Sequence, residues 1–299
     1  DDQGSFSGNL QKLGFQGTAT VPATANPDDV QAMLEAGFAF DGKVSYGSAT
    51  TSMSGSGDGE TFGFEGQTQD GIVGAALSAT HLSYDVQQQA TSMSITSGEL
   101  PFPIMLSMSG FGFNMNMPMA KSDAEQDFAF GVRLTDFTVP DMLWGMFDPA
   151  AVMPRDPATV VVDLSGKVKM LFDLLDPESA AEMGEQPPGE LNALTINDLQ
   201  VAAVGAKLTG TGDFTFDNTD LQSFDGMPAP NGVANLSIVG ANGLIDRLIQ
   251  MGFLAEDDAM GARMMMGMLA VPGDAPDSLT SKIEINEQGH IIANGQRIK

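Results

Sequence analysis

Phenylalanine recurs two residues apart five times, at Phe38 and Phe40, Phe62 and Phe64, Phe111 and Phe113, Phe128 and Phe130, and Phe214 and Phe216, using ten of the eighteen phenylalanines. In an extended strand residues i and i+2 share a face, so each pair lays two rings on one side. The residues between and beside them are mostly Gly, Ala, Asn, Glu or Thr, which suits an opposite face that is small or polar. A period of two, repeated along the chain, predicts a mainly β (α+β) fold. The expected form is a large curved antiparallel sheet with one apolar face and a few short helices. The clearest alternation is GFGFNMNMPM, where Phe111, Phe113, Met115, Met117 and Met119 alternate strictly. Upstream, Phe102, Ile104, Leu106 and Met108 occupy the other parity, so a bulge or turn is expected at Ser109-Gly110.

Turn chemistry separates the strands. Glycine, at 35 residues, punctuates the short apolar alternations. The segments around Gly57-Asp58-Gly59-Glu60 and Gln69-Asp70-Gly71 are expected as turns, because Asp-Gly readily adopts positive φ. Further strands are expected in DFAFGVRLTDF, TVVVDLSGKVKML, LTINDLQVAAVGAKLTGTGDFTF, GVANLSIVG and SKIEINEQGHIIANGQRI. Asn26-Pro27-Asp28-Asp29 signals a helix start, giving a helix near 27–36 that ends at Gly37. A second short helix is expected over 140–147, with Met142, Leu143, Met146 and Phe147 on one face. A helical hairpin is expected over 242–270, with one stripe of Leu244, Ile245, Leu248 and Ile249 and another of Met260, Met264, Met265, Met268 and Leu269, packing on or capping the sheet. The segment GEQPPGE (184–190) is the best boundary, dividing a first β-rich half (1–183) from a second (191–299), unless one sheet runs through both.

Charge and cysteine usage bound the function. With 39 acidic against 13 basic residues the net charge is -26, which repels phosphate backbones and anionic lipid surfaces, so nucleic acid is not an expected partner. There are no cysteines, which removes disulfides and thiolate chemistry. No apolar run approaches the roughly 18 residues of a membrane span. The chain opens at Asp1 without an initiator Met or an export-type segment, and is expected to be the C-terminal part of a longer, processed precursor.

No catalytic constellation emerges, and no cofactor is expected. His81 and His290 lie far apart and outside any metal or nucleophile motif, and no G-x-S-x-G elbow accompanies the many serines. The acids Glu256-Asp257-Asp258 are expected in the first turn of a helix, where they meet the positive end of its dipole. Asp217-Asn218-Thr219-Asp220 is expected to form a turn, the calcium-loop pattern being absent. Arg155, set between prolines, is expected in a surface ion pair with Asp148 or Asp156. Twenty methionines raise the alternative of Cu(I) ligation. The alternation with phenylalanine and leucine favours apolar filling, and methionine also suits surfaces that adapt to variable apolar partners.

Four segments carry a resemblance: LWGMFDPAAVMPRDPATVVVDLSGK (143–167), LTGTGDFTFDNTDLQSFDGMPAP (208–230), the helical GLIDRLIQMGFL with MGARMMMGML, and the closing HIIANGQRIK. Together they resemble an alphaproteobacterial secreted or periplasmic family of uncharacterised proteins (domain of unknown function 2125), over nearly the whole chain. The resemblance implies a periplasmic or envelope location after export. The closing NGQ and the strand-rich halves are also similar, more distantly, to AsmA-like envelope proteins, whose curled sheets carry a lipid-accommodating groove.

These lines converge on a non-enzymatic envelope protein that binds lipid or another amphiphile in a hydrophobic groove. The expected ligand-binding residues are Phe62, Phe64, Phe111, Phe113, Met115, Met117, Met119, Phe128 and Phe130, with no catalytic or metal site. The main alternative is a structural or self-assembling protein in which these residues form a closed core and homo-oligomers form through sheet edges.

Overall fold

The computed structural model describes residues 3–23, 30–57, 60–184 and 186–299. The expected helix start at Asn26–Asp29 and the Asp58-Gly59 turn lie outside the described residues, as does Glu185 of the 184–190 segment.

The strands run β1 (Gln3–Gln11), β2 (Gly14–Thr20), β3 (Ala39–Gly57), β4 (Glu60–Leu77), β5 (His81–Ser97), β6 (Ile104–Pro118), β7 (Gln126–Phe137), β8 (Ala158–Met170), β9 (Gly189–Ala203), β10 (Ala206–Asp217), β11 (Ala229–Val239), β12 (Val271–Pro272), β13 (Ser278–Ile285), β14 (Ile291–Ala293) and β15 (Gln296–Arg297). All join one antiparallel sheet in the order β1-β3-β4-β5-β6-β7-β8-β9-β10-β11-β13-β14-β15, with β2 also on β3 and β12 also on β13. From β3 to β11 each strand pairs with the next in sequence, so no crossover is needed, although residues 138–157 join β7 to β8 and 171–188 join β8 to β9 through helical segments. The strands shorten along it, from 19 residues in β3 to 2 in β15. β8 pairs with β9, so the sheet continues across 184–190.

The sheet is open. Its accessible surface is 17854 Å², against about 12,000 Å² for a compact monomer of 31.3 kDa. Buried apolar side chains are correspondingly few among the described residues, and include Leu34, Tyr46, Val161, Met170 and Ala259.

Four of the five Phe pairs lie within strands, on β4, β6, β7 and β10. Phe38 does not; it precedes β3, and its N–H bonds the Met33 carbonyl at the end of helix α1 (Val30–Glu35). Several rings rest over glycines. Phe40 covers Gly42, Tyr46 covers Gly71, Phe64 covers Gly66 and Phe128 covers Gly166, each in the space a Cβ would take. Aromatic cover of strand glycines shields bare backbone from water, which accounts for the joint abundance of Phe and Gly.

Three local expectations need revision. Gln69-Asp70-Gly71 lies inside unbroken β4, where Asp70 takes φ 44° and the register against β5 shifts. Asp-Gly here supplies a bulge, because both flanking segments find partners on β3 and β5. β6 itself continues through Ser109-Gly110; the positive φ falls on its neighbours, at Ala90 (45°) in β5 and Asp136 (51°) in β7. The region 191–217 is two strands, reversed at Val204-Gly205, where both residues have positive φ as a tight hairpin requires.

The helices are α1, α2 (Asp141–Phe147), α3 (Pro177–Met183), α4 (Ala241–Gln250) and α5 (Glu256–Leu269). Gly37, at φ 98°, follows α1 as expected. On α2, Met142, Met146 and Phe147 are exposed and only Leu143 and Trp144 are half-buried, so the expected packing face points largely to solvent. Arg155 pairs with Asp141 at 2.7 Å rather than with Asp148 or Asp156. Asp148 is instead buried, its two oxygens accepting the N–H groups of Val152 and Met153, both at 2.8 Å.

Candidate functional site

Helices α4 and α5 fill the connection between β11 and β13. The Asp277 carboxylate accepts the N–H groups of Asn242 and Gly243 at 3.1 and 2.9 Å, satisfying donors that the first turn of α4 leaves open. Its pKa is lowered even though burial opposes this, because these hydrogen bonds favour the charged form. Arg263 of α5 reaches back to α4, donating to Asn242 and Asp246. At the other end, the Leu269 carbonyl accepts from the Ser281 hydroxyl at 2.6 Å and the Asn294 amide at 3.0 Å. Helix α5 is therefore anchored near its middle and at its C-terminus.

Between these anchors α5 does not close onto the sheet. A cleft of about 410 Å³ remains, with Leu208, Leu236, Ile238, Leu279 and Ile283 as its floor and Ala262, Met265, Met266 and Leu269 as its roof. The ladder registers Leu208 with Ile238 and Ile238 with Leu279, giving a continuous apolar row across β10, β11 and β13. Leu236 leans into the space where Gly210 has no side chain. The lining hydroxyl, Ser281, is committed to Leu269, so the walls offer hydrocarbon almost alone. The size falls within the roughly 300–1,000 Å³ of small-molecule pockets.

Along the outer surface of α5, Met260, Met264, Met265 and Met268 are more than half exposed. Of the sequence stripe expected to pack, Met265 and Leu269 line the cleft while Met260, Met264 and Met268 face solvent; Ala259, Ala262 and Met266 turn inward, because the anchors through Arg263 and Leu269 fix the helix's rotation. Glu256, Asp257 and Asp258 do occupy the first turn of α5, as expected.

The residues expected to bind ligand fall into separate places. Phe113 of β6 meets Phe130 of β7 edge-on at 5.8 Å between centroids and Tyr84 of β5 at 6.1 Å. Met115 is registered between Tyr84 and Phe130, and Phe113 lies in a row with Val73, Val86, Val132 and Val162. Phe111 and Met117 continue the same strand, and Phe128 covers Gly166. Met119 lies just beyond β6 and is largely buried. Phe64 belongs to another row, with Met53 and Ile95, and Phe62 lies two residues further along β4, opposite Gly55 and Ser97. Phe64 is nine residues from Val73 along β4, or about 30 Å in an extended strand. The cleft beneath α5 includes none of these nine residues. Its strands carry alternating Leu and Ile in sequence, but only the placement of α5 distinguishes that alternation from any other.

The titratable groups are structural. Hydrogen bonds from Val152 and Met153 hold the Asp148 carboxyl below its ordinary pKa despite burial. The Thr219 hydroxyl and N–H do the same for Asp217, and the Ser223 hydroxyl and N–H for Asp220, forming the expected turn. Lys167 lowers the pKa of Asp127, which raises that of Lys167 in return, across an exposed contact of 2.8 Å. No group of three or more His, Asp or Glu side chains among the described residues is arranged to hold a metal ion. No helix among them is long and apolar enough to cross a membrane.

A family model described as "uncharacterized protein conserved in bacteria (DUF2125)" matches residues 13–290. That is most of the chain, so the protein belongs to this family. No curated protein and no solved structure matches it.

Proposed function

We propose that this family member is a non-enzymatic binding protein of the bacterial envelope that takes up a lipid or another amphiphile, apolar end first, in the cleft between α5 and strands β10, β11 and β13. The observation that carries the reading is the cleft's composition: about 410 Å³ walled by Leu, Ile, Met and Ala. An open apolar cavity of this kind gains free energy by exchanging water for hydrocarbon, at about 25 cal/mol per Å² of apolar surface. The exposed methionines on α5 supply a deformable rim suited to chains of varied length. The predicted surface around Phe111, Phe113, Met115 and Phe130 remains a candidate for a second apolar contact on the same sheet.

Titration with the fluorescent fatty acid cis-parinaric acid tests this. Saturable uptake of one equivalent is expected in the native chain, and Ala262→Trp, which fills the cleft from its half-buried roof, should abolish it while leaving the circular dichroism spectrum intact. Unsaturable uptake, or equal binding by the Trp variant, would sink the assignment.

A second reading, a structural protein assembling through sheet edges, is favoured by one observation. Among the described residues β1 and β2 have a ladder partner on one side only, and between Gln3 and Thr20 the sole charged residue is Lys12. Natural edge strands are usually blunted by charge or proline.

A further inference from the structure

The face of the sheet opposite the Phe113 row has a different chemistry. There β6 presents Gly110, Gly112 and Asn114, registered against Gln89, Gln87 and Asp85 of β5 and against Thr135, Arg133 and Gly131 of β7. Strand β8 adds Asp163 beside Gly131. Because Gly110 and Gly112 carry no side chains, their backbone forms the floor of a trough, and the longer side chains of β5, β7 and β8 form its walls. Its volume is about 450 Å³. From Gly110 to Asn114 it runs about 14 Å along β6. One end is closed by the Asn114 side chain, which lies over Gly131.

We infer that this trough is a binding site for a neutral glycan segment, separate from the apolar cleft under α5. Within the trough the aliphatic side chain on this face is Val161, only 2% exposed, and the exposed Ile72 beside Gln87 lies outside its lining, so hydrocarbon has little to bind here. Asp85, Asp163 and the nearby Asp198 outnumber Arg133, which itself faces Asp198 at 3.9 Å, so an anion is disfavoured. Gln87 donates to Asp85 at 3.2 Å and Asn197 to Asp163 at 3.1 Å, which fixes both carboxylates as oriented acceptors. The side-chain amides of Gln89 and Asn114 make no hydrogen bond to any other described residue, and each can both donate and accept. Sugar hydroxyls also donate and accept, and a bare glycine floor lets a flat ring approach the backbone closely. An extended peptide fits less well, because β6 is laddered on both sides and offers no free edge for strand addition.

The glycines allow a direct test. A Cβ at Gly112 would meet its nearest neighbour, the Arg133 Cβ, at 3.4 Å, and one at Gly110 would meet nothing closer than 3.7 Å; neither has positive φ. Gly112→Val therefore places its Cβ at contact distance from Arg133 and adds bulk to the trough, with a residue that favours strands. The native chain is titrated with maltohexaose, cellohexaose and chitohexaose, and with hexalysine as a cationic peptide, while side-chain amide resonances are followed by NMR. One hexasaccharide is expected to bind and to shift Gln87, Gln89 and Asn114. Gly112→Val is expected to weaken it at least about tenfold with no fall in melting temperature. Gln89→Ala, an exposed truncation, should weaken it without touching the strand ladder, which separates binding from folding if the Val variant proves unstable. The inference is overturned if no hexasaccharide shifts these amides, if both variants bind as the native chain does, or if only hexalysine occupies the trough.

Discussion

At the scale of single residues, the side chain that most controls a local path is Asp148. It is 1% exposed, and its carboxylate is held by the backbone of Val152 and Met153 rather than by a cation. The proline-rich sequence around it suggested a stiff connection, but the spacing of charges pointed to an ion pair with Arg155. The structure gives that role to Asp141, because Asp148 turns inward, where two N–H groups would otherwise lack partners. The Asp148 carboxyl is held below its ordinary value chiefly by the Val152 hydrogen bond. Its stabilising contribution is therefore fully present above the unfolded value of about 3.9, and is lost as pH falls through the lower folded value. Asp148→Asn should melt at a lower temperature than the native chain at pH 7. The gap should narrow below about pH 4 as the native carboxylate takes up its proton. A gap that stays constant from pH 7 to pH 3 in thermal scans would rule this account out.

At the scale of elements, α5 shows how a helix is legible while its role is not. Its acidic first turn and its Met and Leu periodicity were readable from sequence. Which face would be covered was not, because the exposed Met260, Met264 and Met268 are as apolar as the side that packs. Hydrogen bonds distant in sequence decide the rotation: Arg263 to α4, and the Leu269 carbonyl to Ser281 and Asn294. Asn294 also accepts the Lys282 N–H at 2.9 Å and adopts φ 50°, a conformation that Asn tolerates and Ala resists. Asn294→Ala should cost about 1–3 kcal/mol of stability. It should also speed amide exchange at the C-terminal turn of α5 more than in β8 or β9. Uniform exchange changes, or none, would mean that the clamp does not hold the helix.

At the scale of the whole molecule, the sheet lacks a second layer over most of its extent, and charge is spread over a large exposed surface. A net charge of -26 with five exposed or half-exposed ion pairs among the described residues leaves considerable self-repulsion. Such repulsion is screened beyond about 8 Å at physiological ionic strength. Melting temperature should therefore rise between 10 mM and 500 mM sodium chloride, in contrast to a fold held by exposed salt bridges, which salt would weaken. A fall in melting temperature over that range would show that the ion pairs outweigh the repulsion.

The sequence by itself determined the antiparallel sheet and most of its strands, since a period of two in side-chain polarity has only one regular backbone solution and short connections link neighbours. It also marked α2, α4 and α5 through periodicity and first-turn acids. Bulges were assigned to turns at Gln69-Asp70-Gly71, because local φ preference is the same whether the chain reverses or continues; only partners on both sides decide. Tertiary structure alone separated the Phe64 row from the Phe113 row, left a cleft under α5, and set Gly110 and Gly112 between the polar walls of β5 and β7. Each depends on cross-strand register, which is fixed by contacts between residues far apart in sequence.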